Sequence, residues 1–249
     1  MSVKRDEIIE YLNNYLKVGD FEDGCVNGLQ IEGKENISKI VTGVSLSERL
    51  INEALSKKAD MMIVHHGFFA DSVFSPLQLK GIMKKRIKMI LENDINLAGY
   101  HIPLDVHPLI GNNISLVKLF GAKKCKPFDI GFVGQLDKEM DFDKFVSLVD
   151  KKLNVKSFAL SYGKNMIKKV AVISGGASPY YNKAMKIGAD VLVTGDMREN
   201  IVREAEEIGI NIINAGHYNT EKLGIQNLGK LVEKKFEIEV EFVDVPNKV

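Results

Sequence analysis

The chain of 249 residues has no tryptophan, two cysteines and a formal net charge of only +1, and each shortage removes a class of protein. Cys25 and Cys125 are far apart in sequence, so a disulfide framework is not expected. The near balance of charge points neither to a nucleic-acid binder nor to a membrane-surface protein, so any electrostatic partner site must be a local patch. The longest apolar runs, residues 61–64 and 170–173, are strand-sized and far short of a membrane span. The opening Met-Ser-Val-Lys-Arg-Asp-Glu puts acids where a signal peptide carries its apolar stretch, which predicts a cytoplasmic location.

What is present is an alternation of short β-branched runs with helical patterns, the signature of an α/β fold. Residues 3–18 read as an amphipathic helix with Ile8, Ile9, Leu12, Tyr15 and Leu16 facing inward. A buried strand at 40–44, a helix at 47–57 and a strand at 61–64 running into His65-His66-Gly67 follow, then polar and turn residues. A basic helix at 79–93, a strand at 95–98 and a helix at 111–120 stopped by Gly121 complete the first half.

The second half repeats this order: strand 170–174, helix 179–187, strand 191–194 running into Gly195-Asp196, helix 199–208 and strand 210–213. The match extends to letters. Ala59-Asp60 precedes one buried strand and Ala189-Asp190 the other, and the stretch from Ile95 to His101 resembles that from Ile210 to His217. Polar positions are included, where packing does not dictate the residue. Between the copies, residues 132–136, a helix at 142–153 and residues 157–161 supply further sheet-building units. The expectation is an α/β fold of two similar three-layer lobes from an internal duplication, residues 1–125 and 126–249, with the C-terminal helix and strand packing back on the first lobe.

Of the five histidines, His65, His66, His101 and His217 lie on three strand ends, the edge where open α/β sheets bind ligands. His101 and His217 are each followed four residues later by a carboxylate, Asp105 and Glu221. Pro103 removes a backbone donor, so residues 101–105 are expected to form a fixed loop with no regular helix interior. Thr220 is the expected N-cap of the helix that follows His217. His65 and His66 are adjacent, and successive strand residues point to opposite faces, so they are expected at the strand end, serving two neighbouring ions. A His-His pair or His-x-x-x-Asp alone is a weak signal. Together, six N and O ligands fit a pair of divalent ions with about three protein ligands each, the open coordination of catalytic sites. Mixed imidazole and carboxylate ligands suit Zn, Fe, Mn, Co or Ni. His107 is read as a loop residue or a supporting contact.

Asn27-Gly28-Leu29-Gln30, Val44-Ser45, Ile63-Val64-His65-His66-Gly67, the His101 to Asp105 segment, Thr194-Gly195-Asp196 and the Ala215 to Glu221 segment occur in the order found in the Nif-three-like family (NGG-one-interacting factor three). The chain resembles that family over nearly its whole length; bacterial members are often labelled GTP cyclohydrolase type 2 homologues. The resemblance implies a two-lobed subunit with a dinuclear metal site in the cleft between the lobes, assembled as a ring-like homohexamer. By position it carries the metal ligands over to His65, His66, Asp105, His217 and Glu221, with Glu221 bridging, and leaves His101 as a ligand or an acid/base group. Some members carry a further histidine after the Gly-acid turn, and residues 198–207 contain none.

The function expected first is a metal-dependent hydrolase acting on a nucleotide or phosphorylated small molecule, in which two ions activate a shared water and His101 moves the proton. Residues 174–178, Ser-Gly-Gly-Ala-Ser, are read as a phosphate seat or a plain strand-to-helix turn. The alternative is a ring-shaped regulatory protein with a structural metal site. It would bind nucleic acid or protein through Lys84, Lys85, Arg86 and Lys88, or through Lys123, Lys124 and Lys126. A third reading is metal storage or sensing. No Walker loop or dinucleotide fingerprint is present.

Overall fold

A computed structural model describes residues 1–69 and 79–247 and divides them between two compact units. The turn-rich stretch expected after Gly67 lies largely outside the described residues. Among the described residues no helix is long and apolar enough to cross a membrane.

The first unit comprises Met1–Leu104 together with Ile225–Val245. Its five-stranded sheet runs in the order Glu239–Phe242, Lys39–Ser45, Met61–His66, Asn96–Gly99, Gly28–Ile31. The first four strands are parallel and Gly28–Ile31 joins antiparallel at the edge. Central strands buried on both faces explain why 61–64 reads as an unbroken apolar run. Val41, Met62, Val64 and Leu97 pack under the helices Glu48–Ser56 and Gly81–Glu92 through Leu50, Ile51, Ala54 and Ile90. On the other face the helix Lys222–Phe236 comes close at Gly229, where an added Cβ would lie 3.3–3.5 Å from Val240 and Thr42.

The second unit is built on Asp105–Gly224. Its six strands run Lys123–Phe128, Gly131–Asp141, Met166–Val172, Val191–Thr194, Asn211–Asn214, Phe158–Leu160. Met166–Val172, Val191–Thr194 and Asn211–Asn214 are parallel. Alternation decides which residue faces which layer. Val170, Val172, Val191, Val193 and Ile213 pack with Ile114, Val117, Phe145 and Val149 from the helices Asn112–Leu119 and Phe142–Leu153. Ala171, Ile173, Leu192 and Ile212 pack with Tyr181, Ala184, Ile201 and Ala205 from Tyr181–Lys186 and Glu199–Ile208. The expected helix at 179–187 is split, its first turn being the 3-10 stretch Ser178–Tyr180 with Pro at its start. The edge strand Lys123–Phe128 is irregular: its register shifts between Lys123 and Lys126, and Lys124 takes a φ of 52°.

Each unit is locked at the start of its parallel strands by the same polar clamp. In the first, Asp60 accepts from the amides of Ser38 and Lys39 at 2.9 and 3.2 Å and from Lys34 Nζ at 2.8 Å. Asn96 Nδ2 donates to Lys34 O and Asp60 O, and its Oδ1 accepts from Gly33 N. In the second, Asp190 accepts from the amides of Lys168 and Lys169 at 3.0 and 2.8 Å and from Lys164 Nζ at 3.0 Å. Asn211 Nδ2 donates to Lys164 O and Asp190 O, and its Oδ1 accepts from Gly163 N.

Burial by itself raises both carboxyls, but at Asp60 the Lys34 ammonium and two amides outweigh it, and at Asp190 the Lys169 amide, Lys164 and the Lys168 amide do. Both therefore titrate below the ordinary aspartate value of about 3.9. A depressed folded value stabilises fully above about pH 4 and is lost as pH falls through the folded value. Asp60→Asn is expected to flatten the dependence of stability on pH below about 4, followed by circular dichroism. An unchanged acid profile would mean that Asp60 carries no such linkage.

Candidate metal centre

In the first unit the strand Met61–His66 continues through both histidines. His65 is fully buried and its Nδ1 lies 2.8 Å from Tyr100 O. A carbonyl only accepts, so Nδ1 carries the proton and the lone pair sits on Nε2. His66 Nδ1 meets Ser45 Oγ at 3.0 Å, and His101 Nδ1 meets Asp23 Oδ1 at 2.8 Å. The three rings are neighbours, with centroids 4.6 Å apart for His65 and His66, 5.1 Å for His65 and His101 and 5.5 Å for His66 and His101. One nitrogen of each lies within 4.8 Å of one nitrogen of the others. The imidazoles of these adjacent residues are thus neighbours at the end of the strand.

The loops that carry these histidines are held by Asn27 and Gln30. Asn27 Oδ1 accepts from His101 N at 2.8 Å, and its Nδ2 donates to Asp23 Oδ2 at 2.9 Å. Gln30 Oε1 accepts from Phe68 N while its Nε2 donates to Val26 O and Phe68 O. Asp23 also accepts from Cys25 N and Ile102 N. Burial raises its carboxyl, but His101, the Cys25 amide and Asn27 together hold it well below the usual range. Cys25 beside it is buried, which pushes its thiol up to about 11, so it is no nucleophile at neutral pH.

The segment after His101 is a short helix, Ile102–Val106, and not the non-helical loop that Pro103 predicted. Proline is tolerated in a helix's first turn, where its missing N–H has no partner within the helix. In the second unit Asp105 Oδ1 accepts from Asn112 Nδ2 at 2.8 Å and Ser174 Oγ at 2.9 Å. Asn112 Oδ1 in turn accepts from Gly224 N, and Asn113 Oδ1 from Ser174 N. His217 Nε2 lies 3.2 Å from Glu221 Oε2, and Asp105 and Glu221 each offer an oxygen within 4.8 Å of the other. Glu221 is nearly fully buried, whereas the His217 side chain is 35% exposed.

Two glycines shape this cluster. Gly175 has a φ of +64°, and a Cβ there would fall 2.2 Å from Glu221 Oε1 and 3.1 Å from His217 Nε2. At Gly195 a Cβ would meet His217 Cα at 2.7 Å and Thr220 Oγ1 at 2.6 Å. Thr220 serves this contact and not the expected helix cap: its Oγ1 accepts from Gly175 N and bonds to Gly216 O. The amides of Ser174, Gly175, Ala177 and Ser178 donate within the unit, as in a strand-to-helix turn. His107 Nδ1 accepts from Leu109 N and Ile110 N, bracing the loop that leads to Asn112.

Asp23, Asn112 and Asn113 were not singled out in the sequence, and Ser174 only as the first residue of the 174–178 segment. The one available signal was Gly111-Asn112-Asn113, a polar pair at the start of a mostly apolar helix.

Imidazoles presenting nitrogen lone pairs and buried carboxylates, placed at strand ends, define an α/β protein whose side chains can hold a metal ion. Residues 3–248 match the model of one family, and the chain belongs to it: Duf34/NIF3 (NGG1p interacting factor 3). Among its relatives is a Haemophilus influenzae protein named GTP cyclohydrolase 1 type 2 homolog, 40% identical over 247 residues, covering 97% of this chain and 98% of that one. A Pyrococcus abyssi protein of the same name is 38% identical over 252 residues, covering 98% and 99%. A solved structure from Thermus thermophilus is similar with a TM-score of 0.91 at 30% identity, covering 99% of this chain and 100% of that one.

Proposed function

We propose that the chain is a dinuclear, divalent-metal-dependent hydrolase of a nucleotide or similar phosphorylated small molecule. His65, His66, Asp105, His217 and Glu221 are its ligands. The observation that carries this reading is that His65 Nδ1 meets a carbonyl and His101 Nδ1 a carboxylate, which leaves Nε2 of each ring for the cluster. The donor set fits two N/O-bound ions, and the space that a Cβ at Gly175 would fill lies beside Glu221 and His217. Such ions would supply Lewis-acid activation of a water and stabilisation of charge on attacking and leaving oxygens. His101 accepts or returns the proton at Nε2, with Asp23 behind it. The relatives' names direct the first substrate trial to GTP.

The test is elemental analysis of purified protein beside Asp105→Asn and His217→Ala, followed by a panel of nucleotides and phosphodiesters. Wild type is expected to retain a divalent metal, and each variant to bind it at least about 10-fold more weakly. Wild-type metal content in both variants sinks the ligand assignment. Metal-loaded protein that turns over nothing in the panel sinks the hydrolase and leaves the metal structural.

We further infer that the two units descend from one duplicated ancestor. Asp60 with Asn96 and Asp190 with Asn211 make the same set of bonds to the same kinds of partner, including a Gly-Lys pair, Gly33-Lys34 or Gly163-Lys164, ahead of each first parallel strand. Packing of apolar strands repeats by chance; a polar clamp that also includes the Ser38, Lys39, Lys168 and Lys169 amides is far harder to reach twice independently.

A further inference from the structure

We propose that Asp23 is the positioning residue of His101, fixing its proton on Nδ1 so that Nε2 is presented to the His65 and His66 imidazoles; this deepens the metal-hydrolase reading and rests on it for its functional meaning. The geometry stands by itself. Asp23 lies on the loop before Gly28–Ile31, 78 positions from His101, yet its side chain is only 3% exposed. Three of its hydrogen-bond partners donate whatever the state of the imidazole, Cys25 N at 3.0 Å to Oδ1 and Asn27 Nδ2 at 2.9 Å and Ile102 N at 3.0 Å to Oδ2, while His101 Nδ1 lies 2.8 Å from Oδ1. Three fixed donors converging on two buried oxygens favour the ionised carboxylate, and an ionised carboxylate cannot itself offer a proton to Nδ1. The ring nitrogen facing it must therefore be N–H.

Two further features separate positioning from mere loop closure. Asn27 already holds the His101 backbone, through Oδ1 on His101 N, so the main chain has a tie independent of the imidazole contact. The Asp23 bond to Ile102 N sits one residue on, at the start of Ile102–Val106, so one carboxylate sets both the ring orientation of His101 and the entry of the helix that carries Asp105. His65 is oriented differently, by the main-chain carbonyl of Tyr100. The two histidines thus reach the same tautomer through independent partners, which supplies an internal control.

The experiment reads the protonation of each imidazole directly, by long-range nitrogen–proton NMR on protein labelled at histidine, before and after EDTA treatment. In wild type, His101 is expected as a single Nδ1–H tautomer in both states. In Asp23→Ala, where the acceptor is gone, the Nδ1–H signal of His101 is expected to be lost in favour of Nε2–H, while His65 remains Nδ1–H. A purely structural role for Asp23 would disturb both rings or neither. Wild-type His101 protonated on Nε2 alone overturns the proposal without need of any variant, as does an Asp23→Ala protein with an unchanged His101 tautomer. Equilibrium dialysis of wild type against zinc is scored separately: no retained zinc overturns the metal reading and leaves the Asp23–His101 result standing, whereas retained zinc with an unmoved tautomer overturns the positioning role alone.

Discussion

Gly175→Ala is expected to destabilise the protein by several kcal/mol and to abolish high-affinity metal retention, although it adds a single methyl group. The backbone at Gly175 lies in the left-handed region, which costs an L-residue roughly 1–2 kcal/mol. The added Cβ would also lie 2.2 Å from Glu221 Oε1, well inside van der Waals contact, so that carboxylate has to move. Glu221 has little room, being nearly fully buried beside Asp105 and His217. Thermal melts and elemental analysis of the variant check both effects. A variant with the wild-type melting temperature and metal content would show that Glu221 and the 174–178 turn relax freely and that their close fit is incidental.

Asn96→Ala and Asn211→Ala are each expected to cost about 2–4 kcal/mol, among the larger effects of single substitutions. Both asparagines are fully buried. Removing either side chain strips the partner from one amide, Gly33 or Gly163, and takes one donor from each of two carbonyls, Lys34 and Asp60 or Lys164 and Asp190, with Asp60 O keeping the amide of residue 96. Each orphaned buried group carries a penalty of roughly 1–3 kcal/mol, reduced where water can enter. Similar losses at both positions in chemical denaturation are what equivalent clamps require. A large loss at one and none at the other would mean that the bonds match in pattern but not in energy.

Much of the secondary structure was legible because it depends on local periodicity. Val191–Thr194, Phe142–Leu153 and Glu199–Ile208 fall on the residues that alternation and the 3.6 repeat indicate. The order of strands was not, since pairing of Gly28–Ile31 with Asn96–Gly99, or of Glu239–Phe242 with Lys39–Ser45, joins segments with no local signal for one another. The histidines and their carboxylates stood out by rarity and spacing. Asp23 did not, because one acid among Asp20, Glu22 and Gly24 has the look of any solvated turn. Its burial follows from a loop closing over His101, and no periodicity encodes that. Pro103 misled for a related reason: whether a proline breaks a helix depends on the turn it occupies.

The irregular margin formed by Lys123–Phe128 also bears on association through sheet edges. An unpaired sheet edge is a template for another chain, and this one carries three lysines, a proline and a register shift that spoil such pairing. Capping their charge, by acetylation for example, would expose a flatter and more adhesive rim, and cloudiness on standing would be its first sign.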